Sequence, residues 1–307
     1  MFGRDLLSIA DLSVDDLQQL LEVALAMKRD GSPPLLAGKQ VAFLFEKPSL
    51  RTRVSFDVGI AQMGGRSIYL SPAEIGLGVR EPIKDVARVL SRYVDALVVR
   101  TSGHEILGEL AHWSTIPVIN ALSDHEHPCQ ALADLLTIEE HKSLEADIRV
   151  AFVGDGNNVA RSLAYACALA EIPLTIASPD GYQLNDGDRE QATLLSGGRE
   201  LLRLVADPSA AVAGADVVYT DVWTSMGQEG ESLLRLASFS GYTLDAGLLD
   251  LAAPGAIVMH DLPAHRGEEI TDEVIESPAS VVFDQAENRL HAQKAVLALV
   301  LGQPQQV

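Results

Sequence analysis

The chain has 307 residues, 47% of them hydrophobic, and its 43 acidic and 23 basic side chains give a formal net charge of −20. That length suits two domains of about 150 residues each, and the charge disfavours nucleic acid and anionic membrane as partners. No run of about 18 apolar residues and no basic-then-apolar N-terminus occurs, so neither a membrane span nor a signal peptide is expected. Cys129 and Cys167 are the only cysteines; they lack metal-ligand spacing, which argues against structural zinc and suits a reducing, cytoplasmic setting.

In chain order, a capped helix comes first, with Ser13 before Leu17, Leu20, Leu21 and Ala24 on one face. Strands are expected near Val41–Phe45, Ser67–Leu70, Ala96–Val99 and Pro117–Ile119, then a helix from Pro128. A second set follows near Arg149–Val153, Leu174–Ala177, Val217–Thr220 and Ala256–Met259. This alternation predicts an α/β fold of two parallel-sheet domains. The boundary falls near Glu140–Ala146, where the chain turns polar, and the amphipathic segment Asn288–Leu301 is expected to pack back on the first domain. Parallel sheets bind ligands beyond the carboxyl ends of their strands. Six polar clusters lie there: SLRTR, VVRT, NALSDHEHPCQ, GDGNNV, TDVWTSMG and HDLPAHRG.

The first cluster sits on a strand-to-helix corner. The apolar strand breaks at Pro48, and a helix begins at Ser49 with Val54, Val58 and Ala61 expected on its packed face. Ser49, Arg51, Thr52 and Arg53 therefore crowd a helix start, where free N–H groups and the positive end of the helix dipole favour an anion. Arg100, ending the strand ALVVR, is a candidate second clamp, its planar fork suited to phosphate. His127 and Gln130 flank the start of the next helix. Cys129 between them reads as a packing residue rather than a nucleophile. Gly154-Asp155-Gly156-Asn157-Asn158 has the look of a dinucleotide loop, with Asp180 beyond it, but Ala160 stands where a third glycine belongs.

These motifs resemble the carbamoyltransferase family. SLRTR is similar to its phosphate-binding signature, and DVWTSMG resembles the Asp-x-Trp-x-Ser-Met-Gly loop of the ornithine branch, which the aspartate branch lacks. The later HDLPAHRG and ENRLHAQ stretches match as well. The resemblance implies transfer of the carbamoyl group from carbamoyl phosphate to the δ-amine of L-ornithine, giving L-citrulline and phosphate, as in arginine biosynthesis. It implies no metal and no organic cofactor. Residues 1–140, with the C-terminal helix 288–307, would bind carbamoyl phosphate, and residues 141–287 ornithine.

By the same resemblance, Ser49, Leu50, Arg51, Thr52, Arg100, His127, Gln130, Leu262 and Arg289 would hold carbamoyl phosphate. His127 would donate to its carbonyl oxygen and Gln130 accept from its amine. Asn158, Asp221, Ser225, Met226 and Asp261 would hold ornithine, Asp221 meeting its α-ammonium. Arg51, Arg100 and His127 would carry catalytic roles by this resemblance, and Asp261, a departure from it, is expected either to join them at the reacting amine or to point away and serve through its backbone alone. A homotrimer with sites at subunit interfaces and closure of the two domains is also implied, and the loop Ser71–Arg80 is a candidate contributor to a neighbour's site.

Three positions depart from the family pattern. Leu50 replaces a Thr, Gly76 stands where many relatives place a Gln, and Asp261 replaces a Cys beside the reacting amine. An ionised Asp261 would orient the amine and accept its proton, yet also stabilise the ammonium, displacing the rate–pH curve upward. The motifs leave alternatives open: a carbamoyltransferase for aspartate, putrescine, lysine or an acylated ornithine, a dehydrogenase resting on GDGNNV alone, or a non-catalytic sensor.

Overall fold

The computed structural model describes residues 1–71, 76–78, 80–225, 227 and 229–302. The chain forms two compact units, Met1–Leu136 with Glu287–Val307, and Thr137–Ala286.

In the first unit the elements run α1 (Val14–Asp30), β1 (Gln40–Phe45), α2 (Leu50–Gln62), β2 (Arg66–Leu70), α3 (Ile83–Leu90), β3 (Ala96–Arg100), α4 (His104–Trp113), β4 (Val118–Leu122) and the start of α5 (Pro128–Lys142). The four strands form a parallel sheet ordered β2-β1-β3-β4. β1 and β3 are buried almost throughout, as continuous apolar strands covered on both faces must be. Ser13 caps α1 in a reciprocal box with Asp16, and the expected Leu17, Leu20, Leu21 and Ala24 are buried.

The second unit continues α5, then β5 (Val150–Val153), α6 (Asn158–Leu169), β6 (Leu174–Ala177), α7 (Asp186–Leu195), β7 (Leu202–Val205), α8 (Pro208–Val212), β8 (Val217–Thr220), α9 (Ser232–Ser238), α10 (Ala246–Leu249), β9 (Ile257–Met259), α11 (Asp272–Ile275) and the first turn of α12 (Val282–Leu301). Its five strands are parallel in the order β7-β6-β5-β8-β9. β7 has no counterpart among the expected strands. It is a half-exposed edge strand with Arg203 facing solvent, so its apolar signal is weak.

Each sheet reverses its winding once, between β1 and β3 and between β5 and β8. Crevices for ligands open at such points. SLRTR and VVRT flank the first reversal, and GDGNNV and DVWTSMG the second.

Two expectations about helix faces are corrected. On α2 the buried residues are Thr52, Phe56, Gly59 and Ile60, while Val54, Val58 and Ala61 face outward. The reason is α12, whose Lys294 Cγ and Leu290 Cδ1 would lie 3.0 and 3.3 Å from a Cβ at Gly59. A helix 230 residues away thus chooses the packed face, and glycine makes the approach possible. α12 itself is less amphipathic than its sequence suggested: Ala292 and Ala295–Leu301 are all buried.

Candidate active site

In the first unit the start of α2 is built as the corner predicted. Ser49 caps the helix, its hydroxyl accepting from Thr52 N–H at 3.3 Å. The buried Thr52 hydroxyl accepts from Arg289 Nη2 at 2.8 Å, so α12 delivers a guanidinium to that corner. Arg51 is half-buried, whereas Leu50 is 75% exposed, so what Leu50 offers the corner is its backbone N–H. Arg53 does not join them; it is exposed and stacks on the Tyr69 ring at 3.9 Å.

Arg100 is buried at the end of β3, where its carbonyl accepts from Glu46 N–H at 2.8 Å. His127 is buried too. Burial, followed by the charges of Arg289 and Arg100, holds its pKa well below the ordinary histidine value. It is therefore a neutral imidazole beside two guanidinium groups, and Thr52, Arg100, His127 and Arg289 form one cationic cluster. Gln130 donates from Nε2 to Asp134 at 2.9 Å, while its buried Oε1 has no hydrogen-bond partner among the described residues. An acceptor in that state is suited to a ligand amine. Burial pushes the Cys129 thiol up to about 12, which keeps it protonated and unreactive. The segment leading to His127 is anchored by Glu126, whose carboxylate accepts from Ile9 N–H at 3.1 Å and from the Ser8 hydroxyl.

In the second unit the crevice between β5 and β8 holds an acidic group. Asp221, at the end of β8, is buried and accepts from Asn157 Nδ2 and Val222 N–H, each at 2.7 Å. Asn157 is itself fixed: as the cap of α6, its Oδ1 accepts from Val159 and Ala160 N–H at 2.9 and 3.0 Å. Burial and then the neighbouring Asp261 raise the Asp221 pKa well above the carboxylate range. Asp221 therefore tends to keep its proton beside Asp261. Asn158 opens α6 and Ser225 lies half-buried on the loop after β8. Met226 and half of the loop Ser71–Arg80, residues 72–75 and 79, lie outside the described residues.

Asp261 follows the buried His260, whose Nε2 meets Glu269 Oε1 at 3.0 Å and whose Nδ1 accepts from Leu262 N–H at 2.9 Å. Burial lowers the His260 pKa, but Asp261 and Glu269 outweigh it and raise it to about 9. The Leu262 hydrogen bond requires a bare Nδ1, so this bond and the second proton exclude one another. Leu262 has φ of 58°, a left-handed conformation rare for a branched residue, and the His260 contact helps to hold it there.

The ligand-type atoms of Asp221, His260 and Asp261 lie within 4.8 Å of one another, as do those of His265, Glu268 and Glu269. In the first group both His260 nitrogens are engaged, which leaves it poorly suited to a cation. Gly156 needs no bound phosphate to explain it. A Cβ there would lie 2.5 Å from Leu184 N, so the glycine serves packing of the 182–184 turn. Asn157, Glu269 and Glu126 were not singled out from sequence, although Asn157 stands at a helix cap position that marks it.

The first unit thus gathers Thr52, Arg100, His127 and Arg289 near one winding reversal, and the second gathers Asp221, His260 and Asp261 near the other, on parallel α/β sheets. Two family models match the chain: the carbamoyl-P binding domain of aspartate/ornithine carbamoyltransferase over residues 4–140, and the Asp/Orn binding domain over residues 146–300. The chain belongs to the aspartate/ornithine carbamoyltransferase family. It is 51% identical over 303 residues to the ornithine carbamoyltransferase of Gloeobacter violaceus, covering 98% of this chain and 96% of that one. It is 49% identical over 308 residues to the enzyme of that name from Archaeoglobus fulgidus, covering 99% of each. Among solved structures, ornithine carbamoyltransferase from Pyrococcus furiosus superposes with a TM-score of 0.94 at 48% identity, covering 98% of this chain and 97% of that one.

Proposed function

We propose that this chain transfers the carbamoyl group of carbamoyl phosphate to the δ-amine of L-ornithine, releasing L-citrulline and phosphate. Its relatives named ornithine carbamoyltransferase at about half identity over nearly the whole chain support the reaction. The buried Asp221, fixed by Asn157 and paired with Asp261, carries the choice of acceptor. Such a pair favours an acceptor bearing ammonium groups and disfavours aspartate, whose second carboxylate would meet two acids.

Ser49, Arg51, Thr52, the Leu50 N–H, Arg100 and Arg289 hold the phosphate, and residues 1–140 with 288–307 form its domain. His127 donates to the carbonyl oxygen, where negative charge builds, and Gln130 accepts from the carbamoyl amine. Because His127 is neutral, it donates without competing for the phosphate charge. Residues 141–287 hold ornithine through Asn158, Asp221, Ser225 and Met226, with Asp261 and Leu262 at the reacting end. The uncharged δ-nitrogen attacks the carbonyl carbon and the bond to the phosphate oxygen breaks. Phosphate leaves with the bonding electrons, and Asp261 accepts the proton that the nitrogen sheds. No step needs redox chemistry, so catalysis is positioning and electrostatics.

A cytoplasmic location and a homotrimer complete the proposal. No helix among the described residues is long and apolar enough to cross a membrane. Assembly is supported by α2, where Leu50, Val54 and Val58 expose 75%, 49% and 40% of their surface along one stripe. A second copy of the chain is the partner we assign to it. Incubation with carbamoyl phosphate and ornithine, with citrulline and phosphate quantified, tests the activity; phosphate release without citrulline would reject it.

A further inference from the structure

Within the second unit, we propose that Arg235 is the positioning residue that sets ornithine affinity, by clamping the loop after β8 to the loop after β5. The inference rests on the ornithine reading above and deepens it. Arg235 lies on α9, is 7% exposed, and donates from Nη1 to Asp155 Oδ2 at 2.7 Å and to the Trp223 carbonyl at 2.9 Å. Its Nε donates to Glu231 at 3.2 Å, and the guanidinium lies 5.0 Å from the Tyr182 ring centroid.

The two acceptors of Nη1 belong to the two loops that carry the ornithine ligands. Asp155 is two residues before Asn157, which orients Asp221; Trp223 is two residues after Asp221 and two before Ser225. The loops are therefore stitched at two points, Asn157 to Asp221 and Arg235 to both Asp155 and the Trp223 backbone. The Trp223 ring stacks on Phe239 at 5.5 Å, which fixes the side chain but leaves its carbonyl to Arg235. A lysine keeps the charge but has no planar fork to serve Asp155, Trp223 and Glu231 together. Removing the cation would take from buried Asp155 its hydrogen-bonded partner, leaving only the more distant charge of Arg161, and would free the Trp223 carbonyl, so the two loops lose their shared tie. Each group in the clamp lies on the ornithine side, and none belongs to the cationic cluster of the first unit.

Steady-state kinetics of full-length Arg235→Gln, Arg235→Lys and Asp155→Asn test the clamp. We expect the KM for ornithine to rise about tenfold or more in Arg235→Gln, less in Arg235→Lys, with the KM for carbamoyl phosphate within about twofold of the parent. A merely structural role would lower kcat through loss of folded protein and leave both KM values unchanged, and that result would overturn the proposal. So would parallel rises in both. Should Arg235→Gln not fold, the same split in Arg235→Lys and Asp155→Asn decides.

A second readout needs no turnover. The chain has two tryptophans, so in a Trp113→Phe background Trp223 alone reports on the loop. Release of the clamp should red-shift its emission, and unchanged emission would contradict the clamp. If the unaltered protein makes no citrulline, the activity assignment fails while emission still judges the clamp.

Discussion

Burial and the neighbouring Asp261 hold the Asp221 pKa well above the carboxylate range, so an ammonium ligand must draw Asp221 into its ionised form. In the proposed reading the α-ammonium of ornithine displaces the Asp221 proton to solvent, and an ionised Asp261 faces the δ-nitrogen. That nitrogen resembles a lysine amine, whose pKa is about 10.4, and a nearby carboxylate raises it further. Replacing Asp261→Cys should therefore move the rate–pH profile down, by about one unit. Superimposable profiles would mean that Asp261 does not face the amine.

His127 gives a second prediction. Its folded pKa is depressed, so the folded protein keeps it neutral where the unfolded chain begins to bind a proton, below about pH 6.5. Stability from this residue is present above that pH and lost as pH falls through it. Imidazole NMR at pH 6 should show a neutral ring, and an imidazolium pattern would contradict the account. His127→Ala should cut kcat by about a hundredfold or more, the usual cost of one lost oxyanion donor. Cys129, by contrast, with its thiol pushed to about 12 and fully buried, should resist thiol reagents until the protein is unfolded. Rapid labelling of the native protein at Cys129 would refute this.

At the scale of elements, α2 shows where sequence reading succeeds and where it stops. Its start was legible in part: the Ser49 cap formed as the hydroxyl after a strand suggests, whereas Arg53, read into the same corner, stacks on Tyr69 instead. Its packed face was not. Neither Thr52, read as a ligand, nor Gly59 belongs to an apolar face until α12 arrives, with Arg289 on one and Lys294 against the other. The strands Leu174–Ala177 and Val217–Thr220 read correctly because short apolar β-rich runs between turns allow little else, whereas the edge strand β7 lacks that contrast. In the candidate site, strand-end acids and arginines announced themselves as chemistry. Asn157 and Arg235, which tie the loops carrying those acids, were not singled out from sequence, since their partners lie 64 and 80 residues distant. The outward stripe of α2 carries its own prediction. If the proposed trimer packs through this stripe, Val54→Asp should lower the sedimentation coefficient toward that of a monomer; a coefficient unchanged from the parent would place the interface elsewhere.

For the whole molecule, a net charge of −20 sets the terms on which an anionic substrate is held. In the proposed site, the buried guanidinium groups of Arg100 and Arg289, with their fixed forks, would supply local positive charge against that field. The second unit reverses the sign, presenting acids to a cationic acceptor. This division of charge between two parallel sheets is the core of the account, and choice of acceptor is its most exposed consequence. The measurement that tests it most directly supplies carbamoyl phosphate with ornithine, putrescine, lysine, N-acetylornithine or aspartate in turn and quantifies each carbamoylated product. The account predicts citrulline from ornithine as the dominant product, with aspartate inert. Faster carbamoylation of any other amine in the panel would contradict it.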